Sequence, residues 1–184
     1  MHPQRYLGLA LTLLTLGIAC GGGSGDGDSG GGGGGLSTLV TAGIDAPIYA
    51  AMLTNGTTRL VFVTNAQMLH ATFRADSGAA DAPISLTNEQ GDSLEATPAG
   101  EGYTGTFTAA SGETFDLTLE PKSRDNAGLY RNRENIRGED WIIGLIVLND
   151  GKVVGASRNE VSGVVERRTT LSIGLKWEDP ATDP

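Results

Sequence analysis

Apolar and polar residues alternate along most of the chain beyond residue 36. In the run YTGTFT, at 103–108, every second residue is threonine, and in ETFDLTLE, at 113–120, Phe115, Leu117 and Leu119 fall on one face. A period of two is the period of a β-strand. One apolar and one polar face predict strands of an antiparallel sheet that covers a core on one side.

The run WIIGLIVL, at 141–148, is apolar throughout apart from Gly144, so we predict a central strand buried on both faces. Turn residues separate such runs. Asn55-Gly56 lies between YAAMLT and RLVFVT and predicts a hairpin with a type I′ turn, and NDG at 149–151 predicts another turn. QMLHATFRA, at 67–75, fits a strand or a short helix.

The chain beyond the N-terminal region shows about ten such strand patterns and no amphipathic helix. We therefore predict an all-β fold, an antiparallel meander that forms a small barrel or a barrel-like sandwich. Closure into a barrel removes exposed sheet edges. Because the 184-residue chain has one cysteine, an internal disulfide is excluded and the domain must be held together by packing.

The N-terminus carries a different pattern. Residues 7–19, LGLALTLLTLGIA, are uncharged and follow Arg5, and a run of 13 residues is too short to span a bilayer as a helix. We interpret 1–19 as a signal peptide. Ala19 followed by Cys20 resembles the lipobox of bacterial lipoproteins, although Gly17 stands where that family prefers leucine. The resemblance implies that Cys20 is acylated and becomes the mature N-terminus.

Residues 21–35 contain only glycine, serine and aspartate, a composition that cannot bury apolar surface. We predict that 20–38 is the lipidated cysteine with a disordered, Gly-rich tether, that 39–179 is the antiparallel β domain and that 180–184 is a disordered tail. The lipobox resemblance implies an extracytoplasmic protein that is lipid-anchored to the bacterial cell envelope. Gly21 after the cysteine favours the outer membrane.

A second resemblance covers about 48–159. The hairpin IYAAMLTNGTTRLVFVTN, the meander ISLTNEQGDSLEATPAGEGYTGTFTAASGETFDLTLEP, AGLYR at 127–131 and WIIGLIVLNDG at 141–151 resemble an uncharacterised family of secreted or lipid-anchored bacterial β domains. The family form has its tryptophan immediately before Ile-Val-Leu, where Leu145 stands here. The resemblance implies an extracytoplasmic β domain and carries over no catalytic residue.

The net charge and the reactive residues reduce the number of function classes that fit this sequence. The net charge of −9 opposes binding to nucleic acid, which requires a positive footprint. His70, the single histidine beyond His2, has no nucleophile motif or second metal ligand near it, so we expect a residue on a strand surface or edge. The acidic residues show no catalytic spacing and are expected to be solvated: Glu89, Asp92, Glu95, Glu101, Glu113 and Asp116. We expect no enzyme activity, no metal and no cofactor.

The segment RDNAGLYRNRENIRGEDW, at 124–141, mixes arginines with two aromatic residues, a composition typical of recognition surfaces. The candidate binding residues are Tyr130, Arg131, Arg133, Arg137 and Trp141. The alternative is a long hairpin whose charges pair across strands, with Tyr130 and Trp141 in the core.

These observations favour a non-enzymatic envelope lipoprotein. Its membrane contact would be the lipid anchor, and its β domain would bind an envelope protein or polymer or serve a structural role. The alternative is a lipocalin-like carrier of a small apolar ligand, which would require an interior cavity lined by apolar side chains.

Overall fold

The computed structural model describes residues 37–43, 45–66, 69–76, 82–168, 175–178 and 180–181. The predicted signal peptide, Cys20 and all of the tether before Ser37 lie outside these residues. Of the predicted tail, Pro180 and Ala181 belong to a turn in which Pro180 is buried. The described chain contains only strands and their connections, which confirms the all-β prediction. None of it forms a helix of the length and apolar character needed to cross a membrane.

Thirteen strands follow one another along the described chain, three more than the sequence patterns predicted. They are β1 (Ser37–Thr41), β2 (Tyr49–Thr54), β3 (Arg59–Thr64), β4 (His70–Ala75), β5 (Ile84–Thr87), β6 (Ser93–Ala99), β7 (Gly102–Thr108), β8 (Thr114–Pro121), β9 (Gly128–Ile136), β10 (Glu139–Val147), β11 (Val153–Asn159), β12 (Val165–Arg168) and β13 (Leu175–Lys176).

The first sheet has eight antiparallel strands in the order β4-β3-β2-β1-β8-β7-β6-β5. It consists of two meanders, β1 to β4 and β5 to β8, which are joined by the pairing of β1 with β8. The two end strands, β4 and β5, contact each other, so the sheet is nearly closed. This confirms the predicted antiparallel barrel.

The inner face of this barrel is filled by a core of sixteen buried residues that come from β1 to β8 and their connections. Phe107 lies in this core with its ring edge-on to Phe73, at a centroid distance of 6.1 Å. The alternation predicted for β7 and β8 is confirmed, because Leu117 and Leu119 are buried while Thr118 between them is exposed.

The second sheet has the order β12-β11-β10-β9-β13. Its Leu129, Ile146 and Leu148 pack against the outer face of β1 to β3. A further cluster on its other face contains Tyr130, Ile143, Leu145 and Val147. Because both faces of β10 are buried, the prediction of a central strand at 141–148 is confirmed.

The hairpin between β2 and β3 forms as predicted, but its turn is of a different type. The loop is the four residues 55–58, and of the pair Asn55-Gly56 only Gly56 has a positive φ, of 84°. Asn55 Oδ1 accepts hydrogen bonds from the amides of Thr57 and Thr58. These side-chain hydrogen bonds stabilise a four-residue turn instead of the two-residue type I′ turn, so the type I′ prediction at this position was wrong.

Candidate functional site

A groove of about 520 Å³ lies at one end of the second sheet, where the β9–β10 turn approaches β12. Its lining combines one aliphatic, one aromatic and four charged side chains: Ile136, Arg137, Glu139, Trp141, Glu166 and Arg168. The β11–β12 connection lies at the same end, because the Glu160 amide donates to the Asp140 carbonyl oxygen at 2.9 Å. This connection exposes two apolar side chains, Val161 and Val164.

The β9–β10 turn is a tight two-residue loop made of Arg137 and Gly138, since Ile136 pairs with Glu139. Both loop residues have positive φ, 57° for Arg137 and 85° for Gly138, as a type I′ turn requires. Asn135 Oδ1 accepts from the Gly138 amide at 3.0 Å and fixes the turn. Arginine is a costly residue at the first position, where asparagine and glycine are favoured.

We expect Arg137→Asn to raise the free energy of unfolding by about 1 kcal/mol, because asparagine tolerates the left-handed backbone. Urea unfolding of the variant and the wild type measures the difference. Arg137→Ala is the matched control, since it removes the same side chain but keeps the backbone strain. A gain of equal size in Arg137→Ala would show that the side chain, not the backbone, is responsible.

Trp141 forms part of the groove wall although only 7% of it is exposed. Its indole Nε1 is buried and has no hydrogen-bond partner within the described part of the chain. A buried donor without a partner costs about 1–3 kcal/mol. The wall of the groove therefore includes a residue whose buried donor is not used by the described part of the chain.

The charged side chains of the groove are positioned by bonds to the sheet. Glu139 accepts from Asn159 Nδ2 at 2.8 Å. Arg168 donates from Nε to Ser157 Oγ at 3.0 Å and from Nη2 to Glu166 at 3.4 Å. With two arginines and two glutamates, the lining supplies donors and acceptors and carries no net charge.

The structure separates the five candidate binding residues. Arg137 and Trp141 lie at the groove, whereas Tyr130 is buried further along the sheet and donates its hydroxyl to the Asn126 carbonyl oxygen. Arg131 stacks on Trp177 at 4.7 Å, and Arg133 lies 4.0 Å from Glu160. β9 and β10 form a long hairpin, and Tyr130 and Trp141 are both buried in it, which are two of the features of the alternative.

Sequence reasoning missed Glu166 and Arg168. They lie on β12, which reaches the groove through its pairing with β11, and β11 in turn pairs with β10. Residues two strands apart in a sheet have no fixed spacing along the chain, so no local pattern connects them with Trp141. The run RR at 167–168 was the sole local signal of a charged strand end.

Two other predictions need correction. His70 lies on β4, an end strand of the first sheet, but only 7% of it is exposed because the second sheet covers it. Its ring is edge-on to Phe62 at 4.9 Å, and Nδ1 lies 3.4 Å from the Ala156 carbonyl oxygen. Burial lowers the pKa of His70 to about 3, with a further lowering by Arg158 and Arg131. The imidazole is therefore neutral and packed between the sheets.

Asp92 is the second correction, because it is buried rather than solvated. Its two carboxylate oxygens accept from Asn88 Nδ2 and from the Ala110 amide, each at 2.9 Å. These bonds connect the β5–β6 turn to the β7–β8 turn. The role of Asp92 visible in the fold is structural.

Among the described residues, no group of three or more histidine, cysteine or acidic side chains is arranged to hold a metal ion. Comparison with known proteins adds no assignment: no protein-family model, curated protein or solved structure matches this chain. The groove and the N-terminal sequence are therefore the features that bear on function.

Proposed function

We propose that this protein is a non-enzymatic lipoprotein of the bacterial cell envelope. It is anchored through an acylated Cys20, and the favoured membrane is the outer membrane. Three features support this proposal: the apolar run at 7–19, the Ala19-Cys20 pair and the glycine tract that follows. β1 begins at Ser37, directly after the tract and Leu36. The tract thus has the position that a tether between a lipid and a folded domain requires.

We propose further that the β domain binds a component of the envelope at the groove beside the β9–β10 turn. The observation that carries this proposal is the buried Nε1 of Trp141, for which the described residues supply no hydrogen-bond acceptor. A ligand with an acceptor at this point would remove the cost of the unused donor. Since the four charges of the lining cancel, a neutral, hydroxyl-rich polymer such as a polysaccharide fits better than a strongly charged one.

The filled barrel interior favours this surface over the lipocalin-like alternative. A carrier of that kind needs a cavity within the barrel. Here the inner face is occupied by packed side chains, among them Met52, Phe73 and Phe107. The described interior therefore supports a surface site more than a central cavity.

The anchor is tested by labelling cells with radioactive palmitate and separating their membranes. Wild type is expected to carry the label and to sediment with the outer membrane, and Cys20→Ser to lose both properties. Label retained by Cys20→Ser, or a soluble wild-type protein, would contradict the proposed anchor.

The groove is tested by co-sedimentation of the full-length Cys20→Ser protein with purified cell-wall sacculi and, separately, with envelope polysaccharide. Trp141→Phe keeps an aromatic ring and removes the N–H, so we expect binding to fall about tenfold, the equivalent of one hydrogen bond. Trp177→Phe is the matched control, because Trp177 packs in the core between the second sheet and β1 to β3. Equal binding by both variants, or no binding by the parent protein, would reject the groove.

A further inference from the structure

Arg59 is a charged residue in the interior of the barrel. It begins β3 and is only 3% exposed. Val61 and Val63, which share its face by strand alternation, belong to the barrel core. Its Cζ lies 5.9 Å from the ring centroid of Tyr103, a core residue on β7.

The guanidinium is only partly bonded. Nη1 donates to the Ala82 carbonyl oxygen at 3.0 Å, and the Tyr103 hydroxyl donates to the same oxygen at 3.2 Å. Nε and Nη2 are buried, and neither has a hydrogen-bond partner among the residues that the structure describes. The ion pairs found among the described residues do not include Arg59.

The two unpartnered nitrogens are the ones that bind an oxyanion. Nε and Nη2 occupy one edge of the planar guanidinium, and their parallel N–H bonds match the two oxygens of a carboxylate. A buried charge without a counter-ion is strongly unfavourable, and a protein seldom retains one without a partner. The unbonded edge of Arg59 therefore has the donor geometry that a carboxylate requires, in a buried position.

An apolar cleft adjoins this end of the barrel. It has a volume of about 330 Å³, and its lining includes the core residues Leu39, Met52 and Tyr103, together with Thr54 and the exposed Glu101. Thr54 is the direct cross-strand partner of Arg59, and Tyr103 is shared by the cleft and the guanidinium. Arg59 is not itself part of the lining, so Thr54 and Tyr103 are what connect the cleft to the cation. An apolar cleft connected in this way to a buried cation suits a ligand that has an apolar chain and one anionic head.

We propose that this end of the barrel binds an amphiphilic carboxylate, with the carboxylate on Nε and Nη2 of Arg59 and the alkyl chain in the cleft beside Tyr103. The site is separate from the groove on the second sheet, and it lies at the barrel end rather than in a central cavity. It does not depend on the proposed lipid anchor or on polysaccharide binding.

The test uses the full-length Cys20→Ser protein and measures its Tm with millimolar decanoate, decanol or acetate at constant ionic strength. Decanoate is expected to raise Tm by about 5 °C, because it binds the folded state alone. Decanol lacks the charge and acetate lacks the chain, so neither is expected to shift Tm appreciably. An equal shift with decanol or acetate would overturn the proposal.

Two variants at Arg59 sharpen the test. Arg59→Met has a similar shape and no charge, so it should abolish the decanoate response and raise the Tm of the ligand-free protein. Arg59→Lys keeps the charge without the two-pronged edge and should weaken decanoate binding at least tenfold. A decanoate response retained in Arg59→Met, or a Tm lowered by that change without ligand, would overturn the proposal.

Asp81 precedes Ala82 in the sequence and lies outside the described residues, so a counter-ion from the chain itself is checked with Asp81→Asn. We expect this variant to bind decanoate as the parent protein does. A Tm lowered by many degrees in Asp81→Asn, together with no decanoate response in the parent, would assign the counter-ion to the chain and overturn the proposal.

Discussion

Lowering the pH from 7 to 5 is expected to destabilise the folded domain by about 2 kcal/mol through His70 alone. The ring lies between β4 and the second sheet, where burial penalises its charged form. Arg158 and Arg131 oppose a positive charge at the same place. Protonation of His70 therefore requires the two sheets to separate or to rearrange.

The direction of the effect follows from the pKa of His70 in the two states. The unfolded chain takes up a proton near pH 6.5, and the folded chain near pH 3. Below pH 6.5 the unfolded state binds more protons than the folded state, so the stability falls as the pH falls. The contribution of His70 to the stability is complete above pH 6.5 and is lost progressively as the pH falls toward 3.

Urea unfolding at pH 7, 6 and 5 measures this dependence, with His70→Gln as the control because glutamine does not titrate. The variant is expected to be less stable than wild type at pH 7 but to lose about 2 kcal/mol less between pH 7 and pH 5. The carboxylates are the same in both proteins, so the difference isolates His70. Identical pH dependences would show that His70 titrates normally in the folded protein.

Phe107→Ala is expected to lower the free energy of unfolding by about 3–5 kcal/mol, the usual cost of removing a fully buried aromatic ring. Phe107 is completely buried, and its ring contacts Phe73 and Phe115 on two other strands of the barrel. The neighbouring strands are fixed by hydrogen bonds, so they cannot close the cavity that the substitution leaves.

The measurement is urea unfolding followed by far-UV circular dichroism and by tryptophan fluorescence. Trp141 and Trp177 both lie outside the barrel core, so coinciding transitions would show that a defect in the barrel also unfolds the second sheet. Phe115→Ala, at a partly buried site on β8, is the matched control and should cost clearly less. A loss below about 1 kcal/mol in Phe107→Ala would contradict the close packing of the core.

The candidate site shows which site residues a local sequence pattern can predict and which it cannot. The sequence pointed to Arg137 and Trp141 because arginine and tryptophan near a turn are typical of recognition surfaces. It gave no means of separating them from Arg131 and Arg133, which do not line the groove. Which of several neighbouring charges reaches a common groove depends on strand pairing and twist, and these are not encoded in local composition.

Arg59 is the clearest case of a residue whose role the sequence concealed. An arginine at the start of RLVFVT looks like an ordinary charged residue beside a turn. Its burial results from the closure of the barrel, which brings Tyr103 and Ala82 around the guanidinium from β7 and from the residues before β5. Contacts between residues distant in sequence determine this environment, so alternation alone could not predict it.

By itself, the sequence determined the class of fold, the apolar faces of β7 and β8 and the central place of the run at 141–148. These properties follow from a period of two and from turn residues, which act within a few positions of the chain. Only the tertiary structure decided that β1 pairs with β8 and that the second sheet covers β1 to β3. Only the tertiary structure explains why residue 144 is glycine, since a Cβ there would lie 2.5 Å from Phe62 Cζ. The physical reason is that packing between sheets depends on shape complementarity between segments distant in the sequence.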